Sequence, residues 1–220
     1  MYHIEKYNPT MYPEDMFKNF NKVILLLTLS DTFTWGPFII IANLSGIYLA
    51  SRLGTDTVNF VGIGTAVYFL TRAVTQIPIG SLTDKIKNDK DEIALLVLGI
   101  ILMGIPFLFY PLITAPFQYY VLQFIFGLGV SFNLPNWRKL FALNLDKGKE
   151  GFQYGFYETL LSLSTAIFSG IVGYIANLGD IYFDNSMRVV GSLMILASIF
   201  VVFIHFVKER KSHNGEPMIS

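Results

Sequence analysis

Six stretches of about 20 residues or more carry almost no charge, and nothing else in the sequence constrains the fold as strongly. They run over 23–51, 57–83, 93–113, 117–137, 151–179 and 189–207, and the only charged residues inside them are Asp31, Arg72 and Glu158. A helix of about 20 apolar residues crosses roughly 30 Å of hydrocarbon. Lipid offers no water to loose backbone groups, so each run is expected to be a helix. Porin-type strands would be shorter and would alternate in polarity, and no such pattern is visible. A soluble helical core is the other way to use apolar runs, but it needs far more polar surface than a chain that is 53% hydrophobic and 15% charged provides. The expected organisation is a tail over 1–22, a six-helix transmembrane domain over 23–208 and a tail over 209–220.

The charges lie between the runs. Counted by segment, thirteen Lys and Arg fall in 1–22, 84–92, 138–150 and the end from Lys208 onward, two (Arg52 and Arg188) fall in the alternate loops, and Arg72 stays within a run. The positive-inside rule then predicts that both termini are cytoplasmic in a multi-pass protein of the cell's inner (plasma) membrane. The opening MYHIEKYNPTMYPEDMFKNFNK lacks the basic, apolar, small-residue order of a cleavable signal.

With 16 Lys+Arg against 16 Asp+Glu, no global charge points to nucleic acid. Without cysteine there are no disulfides or thiolate sites, and His3, His205 and His213 are too scattered for a local ligand motif. No metal, cofactor or catalytic residue is expected. A membrane-embedded enzyme, such as a lipid transferase or phosphatase, would need a polar catalytic cluster in a loop, and none is present.

The link between the second and third runs reads Gly80-Ser-Leu82-Thr-Asp84-Lys85-Ile-Lys87. This resembles the signature loop of the major facilitator superfamily, with Gly80, Leu82, Asp84 and Lys85 in place and Lys87 where a second glycine is usual. In the fourth run, Gln123-Phe-Ile-Phe126-Gly127-Leu-Gly129 is similar to the family's fourth-helix motif, with Gln123 and Phe126 standing at its arginine and glutamine positions. Ser169-Gly170-Ile-Val-Gly173 loosely resembles the glycine-rich fifth-helix motif, without its proline, and Asp184 with Arg188 ahead of the sixth run is also similar. The resemblance covers 23–211 and implies one half of a twelve-helix transporter, like the single-half forms of minimal-genome bacteria. It implies two inverted three-helix repeats, completed by a second copy as a parallel homodimer. It further implies that Gly80, Asp84, Lys85 and Arg138 gate the cytoplasmic side, with Asp84 at the start of the partner's fifth helix.

A charge at the bilayer centre costs about 2.5–3.5 kcal/mol on insertion scales, so retained charges are expected to face a cavity or a partner. At 1.5 Å per residue, Asp31, Arg72 and Glu158 lie roughly 13, 18 and 12 Å from the cytoplasmic border. Each belongs to a polar stripe at helical spacing: Thr28, Asp31 and Trp35; Thr65, Tyr68, Arg72 and Gln76; Tyr154, Glu158, Ser162, Thr165 and Ser169. Tyr120, Gln123, Gly127 and Ser131 form a weaker stripe on the fourth run. The third and sixth runs have no polar face and are expected to meet lipid. Gly36-Pro37 is expected to break or kink the first helix. Arg72 paired with Asp31 or Glu158 as a structural ion pair is the plainer alternative.

The expectation is a secondary active transporter that moves a small solute by alternating access and is coupled to protons through Asp31 or Glu158, with Arg72 as the fixed cation. The candidate substrate residues are Thr28, Trp35, Tyr68, Gln76, Tyr120, Gln123, Tyr154, Tyr157 and Ser162. The aromatics among them would suit a sugar or an apolar cation equally. A structural or regulatory membrane subunit is the rival from another class.

Overall fold

The computed structural model describes residues 20–86 and 89–213. Residues 1–19, 87–88 and 214–220, which carry parts of the expected tails and loop, lie outside them. Among the described residues six α-helices follow one another: α1 (Lys22–Leu53), α2 (Thr57–Lys85), α3 (Asp89–Phe109), α4 (Pro116–Leu143), α5 (Glu150–Ala176) and α6 (Asp180–His213). A 3-10 turn over Tyr110–Leu112 extends α3, and the described residues contain no strand. Five of the helices are long and apolar enough to cross a membrane. The remaining one, α4, has 28 residues and the length to span. It lacks charge over 117–137, as expected, but Gln118, Tyr119, Tyr120, Gln123, Asn133 and Asn136 lower its apolarity.

Close packing joins the helices in the order α2, α4, α3, α6, α1, α5, with α1 touching α2 and α4 only lightly. Exchanging α1 with α4, α2 with α5 and α3 with α6 turns this order into itself. Two three-helix units of opposite topology therefore make the bundle, which is the inverted-repeat architecture. The outer members of the series, α2 and α5, are the least buried, with 11% and 6% of their apolar windows covered, against 61% for α1 and 50% for α3. Helices α3 and α6 do present apolar side chains outward, such as Leu98, Leu196 and Phe203. Their opposite faces bury Leu96, Ile100, Met103, Val190, Met194 and Val201 in the core.

That core depends on close backbone approach. A Cβ on Gly104 would sit 2.7 Å from the Gly191 carbonyl, and one on Gly191 would sit 2.7 Å from the Gly104 carbonyl, so α3 and α6 cross where both lack side chains. Gly36 works in the same way, since a Cβ there would meet Ser164 Oγ at 2.5 Å. Helix α1 passes through Gly36-Pro37 without a break. Of the expected break or kink, the break does not occur: the glycine serves the crossing with α5, and neighbouring helices support a proline within a membrane helix.

Polar side chains hold both ends. On the face opposite the signature loop, Arg52 pairs with Asp184 and donates to the Pro111 carbonyl at 2.8 Å, tying α1 to α6 and to the end of α3. On the signature-loop face, Lys139 of α4 pairs with Glu92 of α3 at 2.6 Å and donates to the Thr83 carbonyl of α2 at 3.1 Å. Asn21 caps α1 by accepting from the Val23 amide and donates to the Asn144 carbonyl beyond α4.

Candidate transport site

Asp31 is 3% exposed, on α1. The Tyr157 hydroxyl of α5 donates to its Oδ2 at 2.9 Å. The Tyr157 ring in turn rests on Trp137 and Phe141 of α4, with centroids 4.8 and 5.6 Å away. Three helices thus converge on one carboxylate.

Arg72 does not share this centre. One of its guanidinium nitrogens donates to the Tyr68 hydroxyl at 2.9 Å, and the group lies over the Tyr68 and Phe69 rings at 5.3 and 5.7 Å. Among the described residues it forms no ion pair with Asp31 or Glu158. The cause is the packing order: α2 lies against α4 and barely reaches α1, so the arginine turns to aromatic rings on its own helix. Arg72, Gln76 and Arg138 instead line one recess between α2 and α4.

Glu158, Tyr154 and Ser162 are exposed on the chain. Glu158 is expected to face a cavity or a partner; within one copy α5 packs on α1 and lightly on α6, which leaves its polar stripe without a neighbour. Gly80 is half-buried at the end of α2, whereas Asp84 and Lys85 beyond it are exposed.

A cavity of about 190 Å³ lies between α1, α2, α3 and α4, lined by Phe38, Tyr68, Tyr110, Tyr119, Gln123 and Phe126 among others. The Gln123 amide donates to the Tyr110 hydroxyl at 3.0 Å. Of the expected substrate residues, Tyr68 and Gln123 line this cavity. Tyr120 stands beside Tyr119, with centroids 6.2 Å apart, and Trp35 meets Phe38 edge-on at 5.4 Å. Thr28 is fully buried on α1. The expected residues therefore divide among an Asp31 centre, an Arg72 recess, an aromatic cavity and an exposed α5 stripe.

The family model described as Major Facilitator Superfamily matches residues 23–220. The chain belongs to that family. The match begins at the second residue of α1 and takes in all six helices, so the inverted repeats and the Gly80–Lys85 loop are those of a major facilitator protein. The superfamily consists of transporters rather than enzymes, and this chain is accordingly a multi-pass membrane transport protein. No curated relative matches it. Two features of this major facilitator fold are not visible from sequence spacing. Lys139 and Glu92 read only as charges at helix borders, and their 47-residue separation gives no hint that they meet. Tyr157 reads as one aromatic among many, and only the α1–α5 crossing makes it the donor to Asp31.

Proposed function

We propose that this protein moves a small solute across the plasma membrane by alternating access, as a parallel homodimer with both termini cytoplasmic, and that Asp31 gains and loses the coupling proton. The observation that carries the reading is the polar stripe of α5. Tyr154, Glu158 and Ser162 are exposed on a membrane chain, where lipid contact is costly for a carboxylate. A two-fold axis along the membrane normal would turn the α2 and α5 faces of two copies toward each other and enclose those groups in a water-lined path. Asp31 lies behind that path, held by Tyr157. The carboxylate's surroundings are set by Tyr157 of α5 and the α4 rings beneath it, so a small shift of α4 or α5 between states would change proton occupancy.

The chain has no cysteine, so Ser162→Cys gives a single crosslinking site. Disulfide-linked dimers in native membranes are the expected result, and a monomeric mass with full transport would reject the dimer. A thermal-shift screen of the purified protein against sugars, amino acids and cationic dyes supplies the solute. In proteoliposomes an imposed pH gradient should then drive accumulation of that solute by the parent but not by Asp31→Asn. Accumulation equal to the parent's in Asp31→Asn would remove Asp31 from coupling.

A further inference from the structure

Two contacts set the register of α1 against α4. The Trp137 indole N–H donates to the Leu27 carbonyl at 3.1 Å, and the Phe38 and Phe126 rings stack with centroids 4.7 Å apart. The helices run antiparallel, and eleven residues separate the two anchors on each of them. Between the anchors Asp31 therefore stands opposite Asn133, and Thr28 opposite Asn136. All four are buried, at 0% exposure for Thr28 and Asn133, 1% for Asn136 and 3% for Asp31.

Each of them also keeps a polar atom without a hydrogen bond: Thr28 Oγ1, Asp31 Oδ1, Asn136 Oδ1, and both amide atoms of Asn133. A single buried polar atom left unpaired costs about 1–3 kcal/mol, and native structures hold few of them. Among the described residues eight such atoms occur; Ser30, Thr32 and Arg72 hold three, and the other five belong to these four residues, which the register of α1 against α4 sets at matching heights. Whichever way the Asn133 amide is turned, the seam offers one carboxylate oxygen, two amide oxygens and one hydroxyl oxygen. Hard cations take that donor set, whereas zinc and copper take imidazole or thiolate, and the described residues hold no cluster of three His, Cys, Asp or Glu. The charge of the centre also selects. Asp31 is the one carboxylate among the four residues, so one positive charge neutralises it and a divalent ion would overshoot. A proton on Asp31 would satisfy that residue and one neighbour at most, leaving Thr28 and Asn136 as they are.

We propose that the buried seam of Thr28, Asp31, Asn133 and Asn136 is a binding site for a monovalent alkali cation of the sodium class. The site shares Asp31 with the transport reading but does not rest on it, because it is read as equilibrium binding without any flux.

The test uses the purified full chain, with NaCl replaced by choline chloride at constant ionic strength. The melting temperature of the parent should rise saturably with NaCl relative to choline chloride. Trp137 sits on the seam, so its fluorescence in a Trp35→Phe background should change over the same range of NaCl. Asp31→Asn should abolish both responses. Thr28→Val, which keeps the side-chain shape, and Asn133→Leu should each raise the half-saturating NaCl at least about tenfold. Equal behaviour of the parent in NaCl and choline chloride would overturn the proposal. So would an NaCl response that survives unchanged in Asp31→Asn, Thr28→Val and Asn133→Leu. Loss of proton-driven transport with sodium binding intact would count against the transport reading alone.

Discussion

The guanidinium of Arg52, at the end of α1, and the carboxylate of Asp184, in the second turn of α6, meet at 2.5 Å with side-chain exposures of 23% and 19%. The Tyr48 hydroxyl donates to the same carboxylate oxygen at 2.6 Å, and the guanidinium lies 5.0 Å from the Tyr48 ring centroid. Asp184 is therefore the acceptor on which two α1 donors depend. Asp184→Asn is expected to lower stability by about 1.5–3 kcal/mol, the range for hydrogen bonds to charged groups, and Tyr48→Phe by about 1 kcal/mol. A double-mutant cycle of thermal unfolding with Arg52→Met checks the coupling, and additive losses would show that the two residues act separately.

Lys139 joins three helices beneath the signature loop through Glu92 and the Thr83 carbonyl. Lys139→Met should loosen the last turn of α2 while leaving the apolar core in place. Amide exchange over 80–86 is expected to speed up about tenfold, equivalent to about 1.4 kcal/mol of lost local stability. Unchanged exchange there would mean that α2 holds its own end.

The Gly104–Gly191 crossing admits no side chain, because the added carbon would meet backbone on both sides. Gly104→Ala and Gly191→Ala should each destabilise by about 1–3 kcal/mol. Gly46 also lies within a helix, but a carbon added there would have nothing within 4 Å, and Gly46→Ala should be neutral or stabilise by up to about 1 kcal/mol. Melting temperatures of the three variants decide this, and equal losses in all three would count against a special role for the crossing.

Asp84 is exposed at the end of α2 and makes no hydrogen bond or ion pair among the described residues. Within the proposed dimer it meets the start of the partner's α5, where a carboxylate gains from the helix dipole by about 0.3–1 kcal/mol. Asp84→Asn should therefore shift the protein toward inward-facing conformers, seen as longer spin-label distances across the signature-loop face. Distances equal to the parent's would leave Asp84 an ordinary loop carboxylate.

The six helices are legible because bilayer thickness sets a length that uncharged runs must meet, and each run lies largely within one helix. Asp31 is legible for the same reason, since a lone acid in such a run stands out. The partner of each charge is not. Arg72 reads as a counter-ion at the depth of the two acids, yet it rests on Tyr68 and Phe69, because depth fixes height in the membrane and not which helix is adjacent. Glu158 reads as facing a cavity or a partner, and which of the two covers it is not legible, since that depends on the packing order rather than on the run. Gly36-Pro37 reads as a break or kink, because a proline's lost amide is local information, whereas the closeness of Ser164 is not.

The packing order also bears on how the chain is made. In order of synthesis, α1, α2 and α3 emerge first, yet the close partner of α2 is α4 and those of α1 are α5 and α6. The first three helices must therefore wait in the bilayer as loosely associated segments until α4 clips α2 to α3 and α6 then clips α1 to α3. Neither triplet is an autonomous folding unit. A chain severed between α3 and α4 should yield two fragments that are protease-sensitive when made separately and resistant only when made together.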